Sequence, residues 1–158
     1  MDAQTRLIHR CEMVPVSPLH IGLLIARLGS QREQIEAAGY RPRWFLRNML
    51  AQSRVARTGL FDGHPAAMWG VTGTLMSPEA HLWFVLADDM RRHTHLIARL
   101  ARDEMGRLGV GRVALYTRIV ASDIRAHRFA EFLGFRVDYE SDLIDESGRH
   151  HHVARRMY

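Results

Sequence analysis

Ten histidines, no lysine and one cysteine bound the chemistry open to this chain of 158 residues. Without lysine there is no Schiff-base or amine nucleophile. Glu79 and His81 stand two residues apart, so a strand running through them points both side chains to one face. A carboxyl and an imidazole are the groups that most often move protons in catalysis. Arg91, Arg92, His93 and His95 crowd the start of a predicted helix. Cations in a first helical turn cost roughly 0.3–1 kcal/mol each against the helix dipole. A bound anion relieves that cost, and arginine grips phosphate with two parallel hydrogen bonds. His127 reads as an exposed histidine on a later helix. In the run His150-His151-His152 alternate residues of a strand face opposite ways, so at most two converge. No cysteine or carboxylate stands at ligand spacing beside them, and no metal site is expected. Cys11 excludes an internal disulfide, suits a reducing compartment and reads as a small apolar strand residue.

The elements that must position these residues follow from periodicity. Leu7 to Val14 reads as a strand closed by Pro15 and Pro18. Ile21, Leu24, Ile25 and Leu28 recur at helical spacing over Leu19–Leu28, and Gly29 ends the run. Ser30 caps a short helix over Gln31–Ala38, and Pro42 opens another reaching about Ser53. A short strand within Ser53–Phe61, the turn Asp62-Gly63 and a strand over Ala66–Thr72 make a hairpin. His81–Ala87 is a nearly continuous apolar run, as for a strand buried on both faces. Arg91–Arg107 is amphipathic and helical, Val110–Thr117 is a strand, and Ser122 caps a helix running to Leu133. Phe135–Tyr139 and His150–Met157 form a last hairpin around Glu146-Ser147-Gly148. No linker or repeat interrupts this order, so residues 1–158 read as one domain. The fold class is α/β (α+β): a mixed, mostly antiparallel sheet of about seven strands with helices on both faces.

All 22 basic residues are arginine, the formal charge is +5, and apolar residues make up 47% of the chain. No apolar run approaches the ~20 residues that cross a bilayer. The N-terminus, with an acid at Asp2, lacks the pattern of a signal peptide. A soluble cytoplasmic protein is the expectation. The charge suits acidic partners, among them nucleic acid, an acidic protein or a pyrophosphate. The arginines are spread from Arg6 to Arg156 without a dense tract, and no nucleic-acid-binding motif is present.

Two segments carry a family resemblance. Phe129-Ala130-Glu131-Phe132-Leu133-Gly134-Phe135 resembles the helix end written F-Y-E-K-L-G-F in the GNAT superfamily of acyl-CoA N-acyltransferases. Asp62-Gly63-His64-Pro65-Ala66-Ala67-Met68-Trp69-Gly70-Val71 is similar to that superfamily's central hairpin, and the order of elements matches over nearly the whole chain. Together with Trp83-Phe84-Val85-Leu86-Ala87-Asp88 and Ala37-Ala38-Gly39-Tyr40-Arg41-Pro42, the chain resembles a phage-encoded group of acetyltransferase-like proteins, some labelled internal virion or head proteins.

The resemblance implies a site for acetyl-CoA or CoA at Val85, Ala87, Arg91, Arg92, His93 and His95. In the family the strand of Val85 pairs its backbone with pantetheine, and the next helix receives the pyrophosphate on bare amides. Aligned on Val85, His93 and His95 fall where the family keeps small residues, so imidazoles are expected to crowd that turn; a shift of one residue puts Thr94 and Leu96 there instead, and neither alignment restores a glycine. The family's acid is the tyrosine of the helix motif; Ala130 replaces it, and His127 is the substitute acid at hand. Relatives place their bases four and six residues before the strand valine, which gives His81 and Glu79. Two functions follow from the resemblance. One is a catalytically degraded GNAT-like protein that serves in a virion or in assembly, or meets a phage head, tail or host protein. The other is an acetyl-CoA-dependent N-acetyltransferase.

Overall fold

A computed structural model describes residues 9–74, 76–108 and 111–158, and of Arg91 the backbone alone. The elements are β1 (Cys11–Pro15), α1 (Pro18–Ile25), α2 (Ser30–Ala37), α3 (Pro42–Gln52), β2 (Ser53–Phe61), β3 (His64–Thr72), β4 (Glu79–Leu86), a 3₁₀ turn (Asp88–Arg92), α4 (Thr94–Leu108), β5 (Ala114–Val120), α5 (Ile124–Phe132), β6 (Arg136–Ile144) and β7 (His150–Met157). The seven strands form one sheet in the order β1-β2-β3-β4-β5-β7-β6. All neighbours are antiparallel except β4 and β5.

The β2–β3 hairpin turns on Asp62 and Gly63, both with left-handed backbone (φ 49° and 82°), the pair of conformations a tight two-residue hairpin demands. Helices α1 to α3 pack on one face of the sheet and on each other. On the other face, α4 approaches the sheet where Gly59 has no side chain: a Cβ there would meet Ile97 Cδ1 at 3.3 Å and Met13 Sδ at 3.6 Å. α5 lies beside α4 on that face, its Ala130 and Leu133 packing with Met105 and Leu115. The expected single helix from Arg91 is instead a 3₁₀ turn followed by α4. The Asp88 N–H donates to the Arg27 carbonyl at 2.7 Å, and Gly29 (φ 53°) lets Asp88 pack where any Cβ would lie 2.6 Å from it. This contact between the end of α1 and the end of β4 fixes the turn before α4 can start. The cap of α5 is Asp123, whose side chain accepts the Ala126 N–H, rather than Ser122. The strand expected from Val110 begins instead at Ala114, and Val110 itself lies outside the described residues, as do Leu7 and Ile8 of the first expected strand.

Gly70 of β3 fixes the position of Trp83 on β4. The indole packs against the glycine, donating Nε1–H to Ser53 Oγ at 2.8 Å, and Ser53 Oγ in turn donates to the Met49 carbonyl at 2.6 Å. A Cβ on Gly70 would stand 2.7 Å from both Ser53 Oγ and Trp83 Nε1. Gly70→Ala is therefore expected to cost about 1–3 kcal/mol, the usual penalty for overpacking, and to change tryptophan fluorescence; denaturant unfolding checks it.

Candidate functional site

β4 and β5 pair in parallel over three positions only, Glu79–His81 against Ala114–Tyr116. Beyond them the strands part. Leu82–Leu86 and Thr117–Val120 become the two walls of a cleft of about 950 Å³, closed by residues of α2, α3, α4 and α5. The Ala87 N–H donates to the Ala66 carbonyl at 2.7 Å, which sets the phase of the β3–β4 ladder. In an antiparallel ladder bonded and non-bonded positions alternate, so Leu82, Phe84 and Leu86 turn their backbone groups away from β3 and into the gap. Gln31 of α2 already answers one of them: its Oε1 accepts the Leu86 N–H at 2.6 Å.

Val85 and Ala87 line this cleft and are almost wholly buried. His95 lines it from the first turn of α4 and is exposed. His93 does not crowd the turn as expected. Its ring lies at 4.9 Å from that of Phe61 and 4.7 Å from that of His9, over the end of the β2–β3 hairpin. Arg92 is exposed and lies outside the cleft lining. The side chain of Arg91 lies outside the described residues. The turn itself is acidic at its start, with Asp88 lining the cleft and Asp89 held by Arg27 in bonds of 2.9–3.1 Å. Cations come from two arginines that the sequence analysis did not single out. Arg125 and Arg128 of α5 line the opposite wall, both exposed and neither in an ion pair with a described residue.

The two candidate bases separate. Glu79 lies outside the cleft, 3.5 Å from Arg155 Nε. His81 lines the cleft, and its ring lies at 5.2 Å from that of Tyr116. Burial, and then the charge of Arg118, push its pKa down from 6.5 to about 4. The folded chain thus holds His81 neutral where the unfolded chain would already be protonated. The stability this contributes is present above pH 6.5 and is lost as pH falls toward about 4. By nuclear magnetic resonance the His81 imidazole is expected to stay unprotonated from pH 8 to 5.5, and Arg118→Gln is expected to raise its pKa.

His127 stands on the far side of α5 and is buried, where an exposed residue was expected. Its Nδ1–H donates to the Asp123 carbonyl at 2.6 Å, and its Nε2 shares a hydrogen bond of 2.9 Å with His152 Nδ1. Tyr139 stacks on the same ring, and its hydroxyl donates to Glu131. This arrangement keeps His127, the expected substitute acid, out of the cleft. Ala130 lines the cleft and brings no hydroxyl to it. Among the described residues no group of three histidine, cysteine or acidic side chains is placed to hold a metal ion. No described helix is long and apolar enough to cross a membrane.

The sheet order and the parted β4–β5 pair define the fold of the GNAT acetyltransferases. An aminoglycoside acetyltransferase, AAC(6')-Ib in complex with ribostamycin and coenzyme A, superposes with a TM-score of 0.69 at 15% identity, covering 93% of each chain. RimL, a ribosomal L7/L12 alpha-N-protein acetyltransferase in complex with coenzyme A, superposes with a TM-score of 0.71 at 8% identity over 93% of each chain. An acetyltransferase from Agrobacterium tumefaciens gives 0.70 at 14% identity over 94% of this chain and 91% of its own. No protein-family model and no curated protein sequence matches the chain.

Proposed function

We propose that this chain is an acyl-CoA-dependent N-acyltransferase whose cofactor lies in the cleft between β4 and β5. The observation that carries the reading is the parting of those strands after three paired residues, which leaves the backbone edge of Leu82–Leu86 facing a cleft of about 950 Å³. Pantetheine is a chain of amides, and a strand edge without a partner strand is the surface that pairs with amides. The fit at the phosphate end is of a different kind. His95 lines the cleft from the first turn of α4, whose N-terminus carries partial positive charge, and Arg125 and Arg128 supply charge across the cleft. Two fold neighbours form complexes with coenzyme A, which supports CoA as the ligand.

When bound, acetyl-CoA would supply a thioester carbonyl for an amine nitrogen to attack, with the CoA thiolate as the leaving group. His81 takes the proton that the nitrogen sheds, directly or through water, and being neutral it is ready to do so across the physiological range. A base of low pKa holds that proton briefly and passes it to water. With alanine at position 130, the thiolate takes its proton from solvent. Trp83, locked on Gly70, holds the wall beside His81.

A second reading, a non-catalytic protein of a virion or of phage assembly, draws on the sequence resemblance. It also has one structural feature in its favour: an acid, Asp88, lines the end of the cleft that phosphates would occupy. Calorimetry separates the two. The transferase reading expects micromolar binding of CoA and thiol release from acetyl-CoA on adding an amine. No heat at millimolar CoA would discard it in favour of the second.

A further inference from the structure

The acceptor side of the cleft carries its own chemical signature. His81, Tyr116 and Arg118 share one face of the sheet: β4 and β5 set His81 opposite Tyr116, and Arg118 follows Tyr116 by two residues. Arg118 is exposed, lines the cleft and has no carboxylate partner among the described residues. The acids lining the same cleft are Asp88, Asp123 and Asp145. Asp123 spends one oxygen on the Ala126 N–H at 3.0 Å and the other on Gln34 Nε2 at 3.1 Å. Asp145 accepts from the Ser147 N–H and hydroxyl, the Arg149 N–H and His151, bonds that hold its carboxyl well below the usual carboxylate range. Asp88 sits at the opposite end, on the turn before α4. Beside His81, then, there is a guanidinium awaiting an anion and no carboxylate to receive extra ammonium groups. The rest of that side is apolar and aromatic, with Tyr40, Phe45, Met49 and Trp83.

Resting on the transferase reading, we infer that the acceptor is a small anionic amine, a free amino acid with an apolar or aromatic side chain. Its carboxylate pairs with Arg118, its side chain lies against Trp83 and Phe45, and its amine faces His81. A polycationic acceptor meets like charge at Arg118, and the three acids of the cleft are already engaged or lie at its other end. In the transfer the amine nitrogen gains the acyl carbon, His81 takes the nitrogen's proton, and the CoA thiolate departs.

The test compares L-phenylalanine with phenethylamine, the same skeleton without the carboxylate, and with spermidine. Thiol release at saturating acetyl-CoA is expected to show kcat/KM roughly tenfold to a hundredfold higher for phenylalanine than for phenethylamine, the range of a charge-assisted hydrogen bond. Arg118→Gln is expected to bring that ratio close to one. The ratio is the readout because any change in the basicity of His81 acts on both amines alike. The same pair is titrated calorimetrically into the protein without CoA, so the acceptor site is read even if the cofactor does not bind. Failure of CoA binding alone overturns the transferase reading. A ratio that survives in Arg118→Gln, a preference for spermidine, turnover of a phenylalanine-initiated peptide amide but not of the amino acid, or no amine binding at all would overturn the acceptor assignment.

Discussion

Replacing His81 by alanine is expected to lower kcat for acyl transfer by about two orders of magnitude, the low end of what general base catalysis contributes because the ring is a weak base, while CoA binding changes little. The split comes from position. His81 lies where β4 and β5 are still paired, on the face shared with Tyr116 and Arg118, and the strand edge offered to the cofactor starts just beyond it. Glu79→Gln is the control: its carboxylate lies outside the cleft beside Arg155, and its loss is expected to leave the rate within a factor of two or so. Steady-state rates with a fixed amine check both. A His81→Ala enzyme with unchanged kcat would remove the imidazole from the mechanism and leave water as the base.

The second large effect concerns the phosphates. Arg125→Glu/Arg128→Glu is expected to weaken CoA binding by roughly a hundredfold or more, since each arginine offers a charge-assisted contact worth about 1.5–3 kcal/mol and reversal adds repulsion. The effect should shrink as salt rises, because both side chains are exposed. The Arg92→Ala variant is expected to bind CoA as the parent does, since Arg92 lies outside the cleft lining. Calorimetry of the variants at two ionic strengths reads this out. The reverse pattern, with Arg92 decisive and the α5 pair silent, would return the phosphates to the turn before α4.

The architecture was legible in the sequence because its signals are local. Asp62-Gly63 is a strong turn signal, the spacing of Leu96, Ile97 and Leu100 marks one helical face, and the apolar run through Val85 fits an inner strand. The site was legible in part. His81 stood out through its offset from Val85, and it does line the cleft. What failed depended on contacts between distant residues. Nothing near His93 announces that Phe61 and His9 will draw its ring away, or near His127 that His152 will bury it. The 3₁₀ turn is imposed by the Arg27 carbonyl, more than sixty residues back. Arg125 and Arg128 did leave a signal, two arginines three apart just after the capping Asp123, but in a chain with 22 arginines that spacing is easily passed over. Strand β5 was placed too early because Val110–Leu115 is largely apolar, whereas pairing with β7 requires the alternating stretch through Ile119 and Val120.

Backbone amide resonances of ¹⁵N-labelled protein, titrated with CoA, test the cleft most directly. Phe84 and Leu86 are expected to move and to gain protection from solvent exchange, with Leu86 changing most as it leaves Gln31 Oε1 for the ligand. Saturating CoA that perturbs other parts of the chain and leaves the β4 edge untouched would contradict the placement of the cofactor.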